Sequence, residues 1–177
     1  DQEFYNLNLC LCNECGFVQI DTVVEPETIY RDYIYVTTSS PGLQKHFERY
    51  ALEVCSFLYL DESNLTVDIG SNDGTLLGFF KQRGHNVLGI EPSIKAANSA
   101  NRNGIETLSE FFDIGLANAI ANQYGKASLI TINNLFANID NLKEFVKGIN
   151  VLLDSNGVLI IESSYLLDMI DNMVFDF

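Results

Sequence analysis

Apolar and polar positions change their spacing several times along the chain. After residue 64, short apolar runs alternate with longer stretches in which apolar residues recur every three or four positions, the patterns of buried strands and amphipathic helices. Strands are predicted at about 65–70, 86–91, 105–108, 128–133 and 157–162, and helices at about 40–59, 75–83, 93–103, 113–124 and 140–153. This order predicts an α/β fold with a doubly wound, mostly parallel Rossmann-like sheet and right-handed crossovers.

The start of the chain has a different pattern. Two short alternating segments flank a Cys-x-x-Cys-Gly turn that contains Cys12 and Cys15, which is half of a zinc ribbon. A polar, aromatic stretch with turn residues follows. We therefore divide the chain into a partial zinc-ribbon-like element at 1–25, a connector at 26–42 and a main domain at 43–177.

Three interpretations of Cys12 and Cys15 are open. They can be a zinc half-site, reduced structural thiols or a redox pair. Structural zinc takes four ligands, so a zinc site requires two more ligands than this turn provides. The chain begins without Met and ends in an apolar segment, and we therefore expect it to be part of a longer protein. Cys55 is predicted to lie in the core.

The segment from Leu65 to Leu77 predicts a ligand site. A buried strand runs into a turn bracketed by Gly70 and Gly74, and a helix follows. Glycines allow the backbone to approach a ligand closely, and strand ends of an open α/β sheet are where ligands bind. The turn lacks the G-x-G-x-x-G spacing of a dinucleotide site. Its acids, Asp68 and Asp73, favour a positively charged ligand.

Two further strand ends carry polar side chains. Glu91 follows the second strand of the predicted sheet, close to the offset of about 20 residues at which a carboxylate binds ribose hydroxyls in such folds. Asn133 ends the fourth strand. A buried amide must find hydrogen-bond partners, so we predict that Asn133 also belongs to the site.

Several segments together resemble a known family. Asp-Ile-Gly-Ser-Asn-Asp-Gly-Thr-Leu-Leu, Leu-Gly-Ile-Glu-Pro, Ile-Thr-Ile-Asn-Asn-Leu-Phe-Ala and Gly-Val-Leu-Ile-Ile-Glu occur in this order. They resemble the class I S-adenosylmethionine-dependent methyltransferases, and within them the sugar C-methyltransferases. The resemblance implies S-adenosylmethionine as cofactor and a small-molecule substrate, a nucleotide-linked keto-deoxysugar, which is methylated on carbon through an enolate.

The resemblance also implies roles for individual residues. Tyr35, with Tyr33 as second choice, is expected over cofactor and substrate as the catalytic candidate. The residues expected to bind the cofactor are Asp68, Gly70, Ser71, Asn72 and Gly74 at the methionine part, Glu91 at the ribose, Glu110 and Phe111 beside the adenine, and Asn133.

The sequence departs from the family pattern at two places. Asn138 stands where the family has a histidine, and an amide cannot act as a base. The family's base lies in a Tyr-His-Glu-His stretch that would follow Phe177. Two alternatives therefore stay open, namely an O- or N-methyltransferase of another small molecule and a catalytically silent cofactor-binding or interaction module.

Charge and hydropathy exclude several classes of partner. Twenty-four acids against 10 bases give a net charge of −14, which argues against nucleic acid and against anionic membranes. No apolar run reaches the length of about 18 residues that a membrane span needs, and no signal segment is evident, so we expect a cytoplasmic protein. Lys45, His46 and Arg49 form the densest basic group and face either a diphosphate or solvent. His85 is predicted to be exposed.

Overall fold

The computed structural model describes residues 4–60 and 64–174. The strands are β1 Leu9–Leu11, β2 Val18–Ile20, β3 Leu65–Ile69, β4 Asn86–Ile90, β5 Thr107–Leu108, β6 Ala127–Asn133 and β7 Leu153–Glu162. The α-helices are α1 Pro26–Tyr30, α2 Pro41–Leu58, α3 Thr75–Lys81, α4 Ile94–Arg102, α5 Ile114–Tyr124, α6 Leu142–Leu152 and α7 Leu166–Asp171. Single 3₁₀ turns lie at Thr37–Ser39 and Phe136–Asn138.

Strands β3 to β7 form one sheet in the order β5-β4-β3-β6-β7, and each pairing in it is parallel. The predicted α/β fold is thereby confirmed. All five residues of β3 are buried, as expected for the central strand of a sheet covered on both faces. The chain leaves β3 for β4 on one side and later returns to β6 on the other, so the carboxyl end of β3 lies at the point where ligands bind in such sheets.

Two hydrophobic clusters cover the two faces of the sheet. On one face, Phe145 of α6 packs against the cluster that contains Val67. On the other, Phe47 of α2 and Leu76 of α3 pack in a cluster with Leu129 of β6. Helix α2 therefore packs on the sheet and covers the side chains that point from β3, β6 and β7 toward that face.

Helix α6 begins at Leu142, two residues after the predicted start at about 140. Asn141, rather than Asp140, is its N-cap, and its Oδ1 accepts a hydrogen bond from the Glu144 N–H at 3.2 Å. Both residue types are good caps, so the sequence pattern did not distinguish the two positions.

Strand β7 is longer than predicted. Residues 154–156 are Asp, Ser and Asn, which favour turns, and the strand was therefore predicted to begin only at 157. In the sheet they form an irregularity in register, because Ala127 lies opposite Leu153 whereas Leu129 lies opposite Val158. Sheet pairing overrides the local turn preference here.

Two predictions of burial were wrong. His85 is only 5% exposed, because its ring packs edge-on against Phe80 with 5.9 Å between centroids and its Nε2 lies 3.3 Å from Cys55 Sγ. Cys55 is half-buried at the rim of the α2 cluster rather than in the core. The contact between two residues 30 positions apart could not be read from local pattern.

The N-terminal element is a small antiparallel hairpin. β1 pairs with β2, with Leu9 opposite Ile20, and Cys12 and Cys15 lie in the turn between them. The turn is closed by the Gly16 N–H, which donates to the Cys12 carbonyl at 2.9 Å, and it requires the positive φ of Gly16. Within the described ranges, no helix has the length and hydropathy to cross a bilayer.

Candidate ligand-binding site

A cavity of about 430 Å³ opens at the carboxyl ends of β3, β4 and β6. This volume lies in the range of small-molecule sites. The turn after β3 forms its floor, and the connector forms one wall. Aromatic rings contribute much of the apolar lining, namely Tyr30, Tyr33, Tyr35, Phe47, Phe111, Phe112 and Phe145.

The turn between β3 and α3 depends on its glycines. Gly70 and Gly74 both have positive φ, at +81° and +77°, where a side chain is strained. A Cβ at Gly70 would lie 3.0 Å from Leu135 Cδ2, and one at Gly74 would lie 3.0 Å from Ile105 Cγ2. Glycine at both positions lets the loop curl below the cavity without displacing its neighbours.

Asp68 is a buried acid on the central strand. Asp68 is only 3% exposed. Its Oδ1 accepts hydrogen bonds from Thr131 Oγ1 at 2.7 Å and from Asn133 Nδ2 at 3.4 Å. Burial raises the pKa of Asp68 from 3.8 to about 7, although both hydrogen bonds act in the opposite direction. A cation beside this carboxyl would offset the cost of burying its charge.

Glu91 ends β4 on the other side of the turn. It is 6% exposed, and each carboxylate oxygen accepts one backbone N–H, from Asn72 to Oε2 at 2.9 Å and from Ser93 to Oε1 at 2.8 Å. Burial raises the pKa of Glu91, while these two bonds lower it. Each oxygen keeps a further lone pair, so the carboxylate can also accept two ligand hydroxyls.

Asn72 and Asp73 connect the turn to the connector. Asn72 Oδ1 accepts the Thr37 N–H at 2.9 Å, and its Nδ2 donates to the Tyr35 carbonyl at 2.9 Å. Asp73 Oδ2 accepts both the N–H and the hydroxyl of Thr38 at 2.9 Å. The Asp73 carboxylate therefore accepts hydrogen bonds from the connector and does not line the cavity. The prediction that it favours a cationic ligand was wrong.

The connector brings its tyrosines to the cavity. The Tyr33 and Tyr35 rings lie 6.4 Å apart, and both line the cavity. Tyr35 Oη donates to Ser40 Oγ at 3.4 Å. Both catalytic candidates are thus in the site, and their roles stay predictions.

Phe111 forms a third wall. The Arg31 guanidinium carbon lies 5.0 Å from the centre of its ring, and Arg31 Nη1 donates to the Ser109 carbonyl at 3.2 Å. The arginine, which the sequence analysis did not single out, thereby fixes the loop that carries Phe111 and Glu110. Glu110 is exposed at the rim of the cavity.

The site has a strongly acidic lining. Among the described residues, no Lys or Arg lines the cavity, whereas six acids do, namely Asp68, Glu91, Glu110, Asp113, Asp140 and Glu144. Two further polar atoms, Ser71 Oγ and Asn133 Oδ1, are buried and make no hydrogen bond within the described part of the chain. Unpartnered buried atoms cost free energy, so the lining is suited to a polar ligand with positive charge.

A known protein family matches most of this chain. The family described as methyltransferase domain matches residues 43–173. The chain belongs to this family. Its domain contains the sheet, the glycine turn and both buried carboxylates, whereas the hairpin and connector precede it.

Individual relatives agree with the assignment. The chain is 29% identical over 175 residues to the C-methyltransferase NovU of Streptomyces niveus, with 99% of this chain and 42% of that protein covered. The plantazolicin methyltransferase BpumL, solved with a desmethylPZN analog and SAH, superposes with a TM-score of 0.61 at 14% identity over 79% of this chain and 54% of that chain. An S-adenosylmethionine-dependent methyltransferase from Clostridium acetobutylicum gives 0.55 at 21% identity, over 71% and 52%. This chain thus spans about half the length of these proteins.

The methyltransferase domain brings the predicted site residues together from distant parts of the sequence. All the cofactor-binding candidates except Gly74 line the same cavity. Gly74 lies just behind the turn as the N-cap of α3. Cys12 and Cys15 lie in the separate hairpin. Among the described residues, no group of three or more His, Cys, Asp or Glu side chains could hold a metal.

Proposed function

We propose that this chain is the cofactor-binding part of an S-adenosylmethionine-dependent methyltransferase. The observation that carries the proposal is the pair of buried carboxylates, Asp68 and Glu91, on either side of a glycine turn in a cavity lined by six acids. Membership of the methyltransferase domain family supports it. The cofactor supplies a methyl group made electrophilic by its sulfonium.

The residues present fit this cofactor. Asp68 would hold the ammonium group, because its buried carboxyl has a raised pKa and no described Lys or Arg lines the cavity beside it. Glu91 would accept the two ribose hydroxyls with the lone pairs that its backbone bonds leave. Phe111 would stack on the adenine. Ser71 and Asn133 would supply polar atoms to the methionine part.

We propose methylation of carbon in a nucleotide-linked keto-deoxysugar. The resemblance of the sequence motifs supports this, as does the similarity to a C-methyltransferase. Tyr35, with Tyr33 second, would face the cofactor and the substrate from the connector. The alternatives from the sequence, an O- or N-methyltransferase and a silent binding module, would place the same cofactor in the same cavity.

Calorimetric titration with S-adenosylhomocysteine tests the cofactor assignment, with NAD as comparison. We expect micromolar binding of the first and none of the second, because the acidic lining repels a pyrophosphate. Asp68→Asn and Glu91→Gln should each weaken binding at least tenfold, about the worth of one hydrogen bond to a charged group. The control is Asp140→Asn, which removes the same charge from an exposed position on the rim.

Equal affinity of Asp140→Asn and Asp68→Asn for S-adenosylhomocysteine would refute the assignment. Asp68 would then contribute no more to binding than an exposed acid does through its charge. Tight NAD binding would likewise refute it.

We also propose that Cys12 and Cys15 contribute two ligands to a zinc site whose other ligands lie outside the described residues. Backbone hydrogen bonds within the turn lower the pKa of Cys12, and a thiolate is the form that zinc binds. Two thiolates alone do not fit structural zinc, which needs four ligands. The hairpin by itself is therefore not a metal site.

A further inference from the structure

Arg31, the C-cap residue of α1, joins two loops that border the cavity. Its Nη1 donates to the Ser109 carbonyl at 3.2 Å and to the Pro92 carbonyl at 3.4 Å. Pro92 lies in the loop that follows β4, and Ser109 lies in the loop that follows β5. One guanidinium therefore holds the loop beside Glu91 and the loop that carries Phe111 at a fixed separation.

The same guanidinium lies against the Phe111 ring. Its Cζ is 5.0 Å from the ring centroid, within the distance of about 6 Å that defines a cation–π contact. Phe111 lines the cavity, whereas Arg31 is not among the described residues that do so. Arg31 therefore lies on the side of the ring that faces away from the cavity, and the rest of the ring surface is left for a ligand.

Glu27 orients the guanidinium. Its two carboxylate oxygens accept hydrogen bonds from Arg31 Nε at 2.7 Å and from Arg31 Nη2 at 3.2 Å. Each nitrogen of the guanidinium thus has a partner, and a bidentate pair of this kind fixes the guanidinium plane. An ion pair this exposed, with 62% of the Glu27 side chain accessible, adds little to the free energy of unfolding. We therefore expect its main effect to be on the orientation of Arg31.

We propose that Arg31 is the positioning residue for Phe111 and thereby for the adenine of the cofactor. The guanidinium would hold the ring in place before the cofactor binds, so that adenosine enters a preformed slot between Glu91 and Phe111. A cation on one face of the ring also draws electron density away from the other face, which favours stacking of an electron-rich base there. This inference rests on the proposed function, in which Phe111 stacks on the adenine.

The location of Arg31 in the chain gives the inference a specific consequence. Arg31 belongs to the connector and precedes the segment 43–173 that matches the methyltransferase domain. Binding of adenosine would therefore depend on a residue outside that domain. A wall that is ordered before binding lowers the entropy cost of association. Loss of Arg31 should accordingly weaken the adenosine half of the cofactor and leave the contribution of Asp68 to the methionine half unchanged.

Calorimetric titration of the full chain with two ligands tests this division. S-Adenosylhomocysteine contains both halves, and 5′-methylthioadenosine contains the adenosine without the amino acid part. Arg31→Ala should weaken both ligands by the same factor, about tenfold, within the range of a cation–π contact. Asp68→Asn should weaken S-adenosylhomocysteine alone. Unchanged affinity of Arg31→Ala for 5′-methylthioadenosine would overturn the inference, because Arg31 would then not act on the adenosine.

Two further variants serve as controls. Arg49→Ala is matched to Arg31→Ala, because Arg49 also pairs with a glutamate four positions away, Glu53, at 2.7 Å. This pair is exposed, so Arg49→Ala should bind both ligands within about twofold of wild type. Arg31→Lys keeps the charge but lacks the rigid fork that reaches several acceptors at once, and we expect an intermediate loss. Equal affinities of Arg31→Ala and Arg49→Ala would overturn the inference.

A double-mutant cycle with Phe111→Leu separates positioning of the ring from a general structural effect. In the Phe111→Leu background, Arg31→Ala should weaken S-adenosylhomocysteine by less than about threefold, because the ring through which Arg31 acts is absent. An equal loss of affinity in both backgrounds would show that Arg31 does not act through Phe111, and it would overturn the inference.

Absence of S-adenosylhomocysteine binding in the wild-type chain would instead contradict the proposed function. The two failures are distinguishable because the role of Arg31 is measured as a difference between variants and a wild type that binds.

Discussion

Replacement of Asp68 by asparagine should stabilise the ligand-free protein at alkaline pH while weakening cofactor binding. The carboxyl is buried and its pKa is raised from 3.8 to about 7, so the folded state binds the proton more tightly than the unfolded state. Stability that is complete at low pH is therefore lost as the pH rises toward and through 7. The difference between the folded and unfolded pKa values corresponds to a loss of about 4 kcal/mol of stability at most. About 3 kcal/mol of this is lost between pH 5 and pH 8.

Asparagine has no carboxyl proton to lose and can still accept the Thr131 hydrogen bond through Oδ1. Urea unfolding of the ligand-free chain at pH 5 and pH 8 measures the effect. We expect the free energy of unfolding of the wild type to fall between these pH values by more than that of Asp68→Asn, so that the variant gains relative stability at pH 8. An identical pH dependence in both proteins would refute the assignment of a raised pKa to Asp68.

A neighbouring acid supplies the contrast. Asp73 is also buried, yet its carboxylate accepts four hydrogen bonds, two from Thr38 and two from Thr75. Asp73→Asn removes acceptors that the fold uses, and it should destabilise by about 1–3 kcal/mol at both pH values. Opposite signs for the two substitutions at pH 8 would show that burial alone does not decide how replacement of an acid changes the free energy of unfolding.

Three further predictions concern strand β4, the connector and the hairpin. Gly89→Ala should destabilise by about 1–3 kcal/mol in urea unfolding, because its Cβ would lie 2.5 Å from Ser71 Oγ, whereas Gly78→Ala, with open space at its Cβ, should not. Asn72→Gly keeps the positive φ but removes the bonds to the connector, so amide exchange at residues 35–39 should accelerate at least tenfold, and unchanged exchange would contradict the role assigned to Asn72. Cys12→Ser should abolish zinc in the whole protein by elemental analysis, and full zinc content in the variant would exclude Cys12 as a ligand.

The central part of the fold was predictable because its signals are local. The apolar run of β3, the two glycines and the acid at the end of β4 lie within 27 positions, from Leu65 to Glu91, and each specifies backbone geometry or burial by itself. The alternation of strands and helices then fixes a parallel sheet, since parallel strands need crossovers. This is why Asp68 and Glu91 could be placed on the same cavity before the structure was known.

The contacts that the sequence did not reveal join distant residues. Asn72 binds Thr37, 35 positions away, and His46 meets Glu162, 116 positions away. Polar residues on a helix face are solvent-exposed in most cases, so His46 carried no signal that distinguished it from Lys45. The Asp73 carboxylate was misread for the same reason, because nothing in the loop sequence shows that the connector returns to cover it.

Charge divides the proposed site into two regions and thereby constrains how two substrates could meet. The six acids of the cavity favour a cation, whereas a diphosphate placed among them would be repelled. The nucleotide-linked acceptor that we propose would therefore keep its diphosphate outside the cavity. Asp68 and Glu91 would hold the cofactor, which supplies the methyl group, and the acids that line the cavity would repel a competing anion.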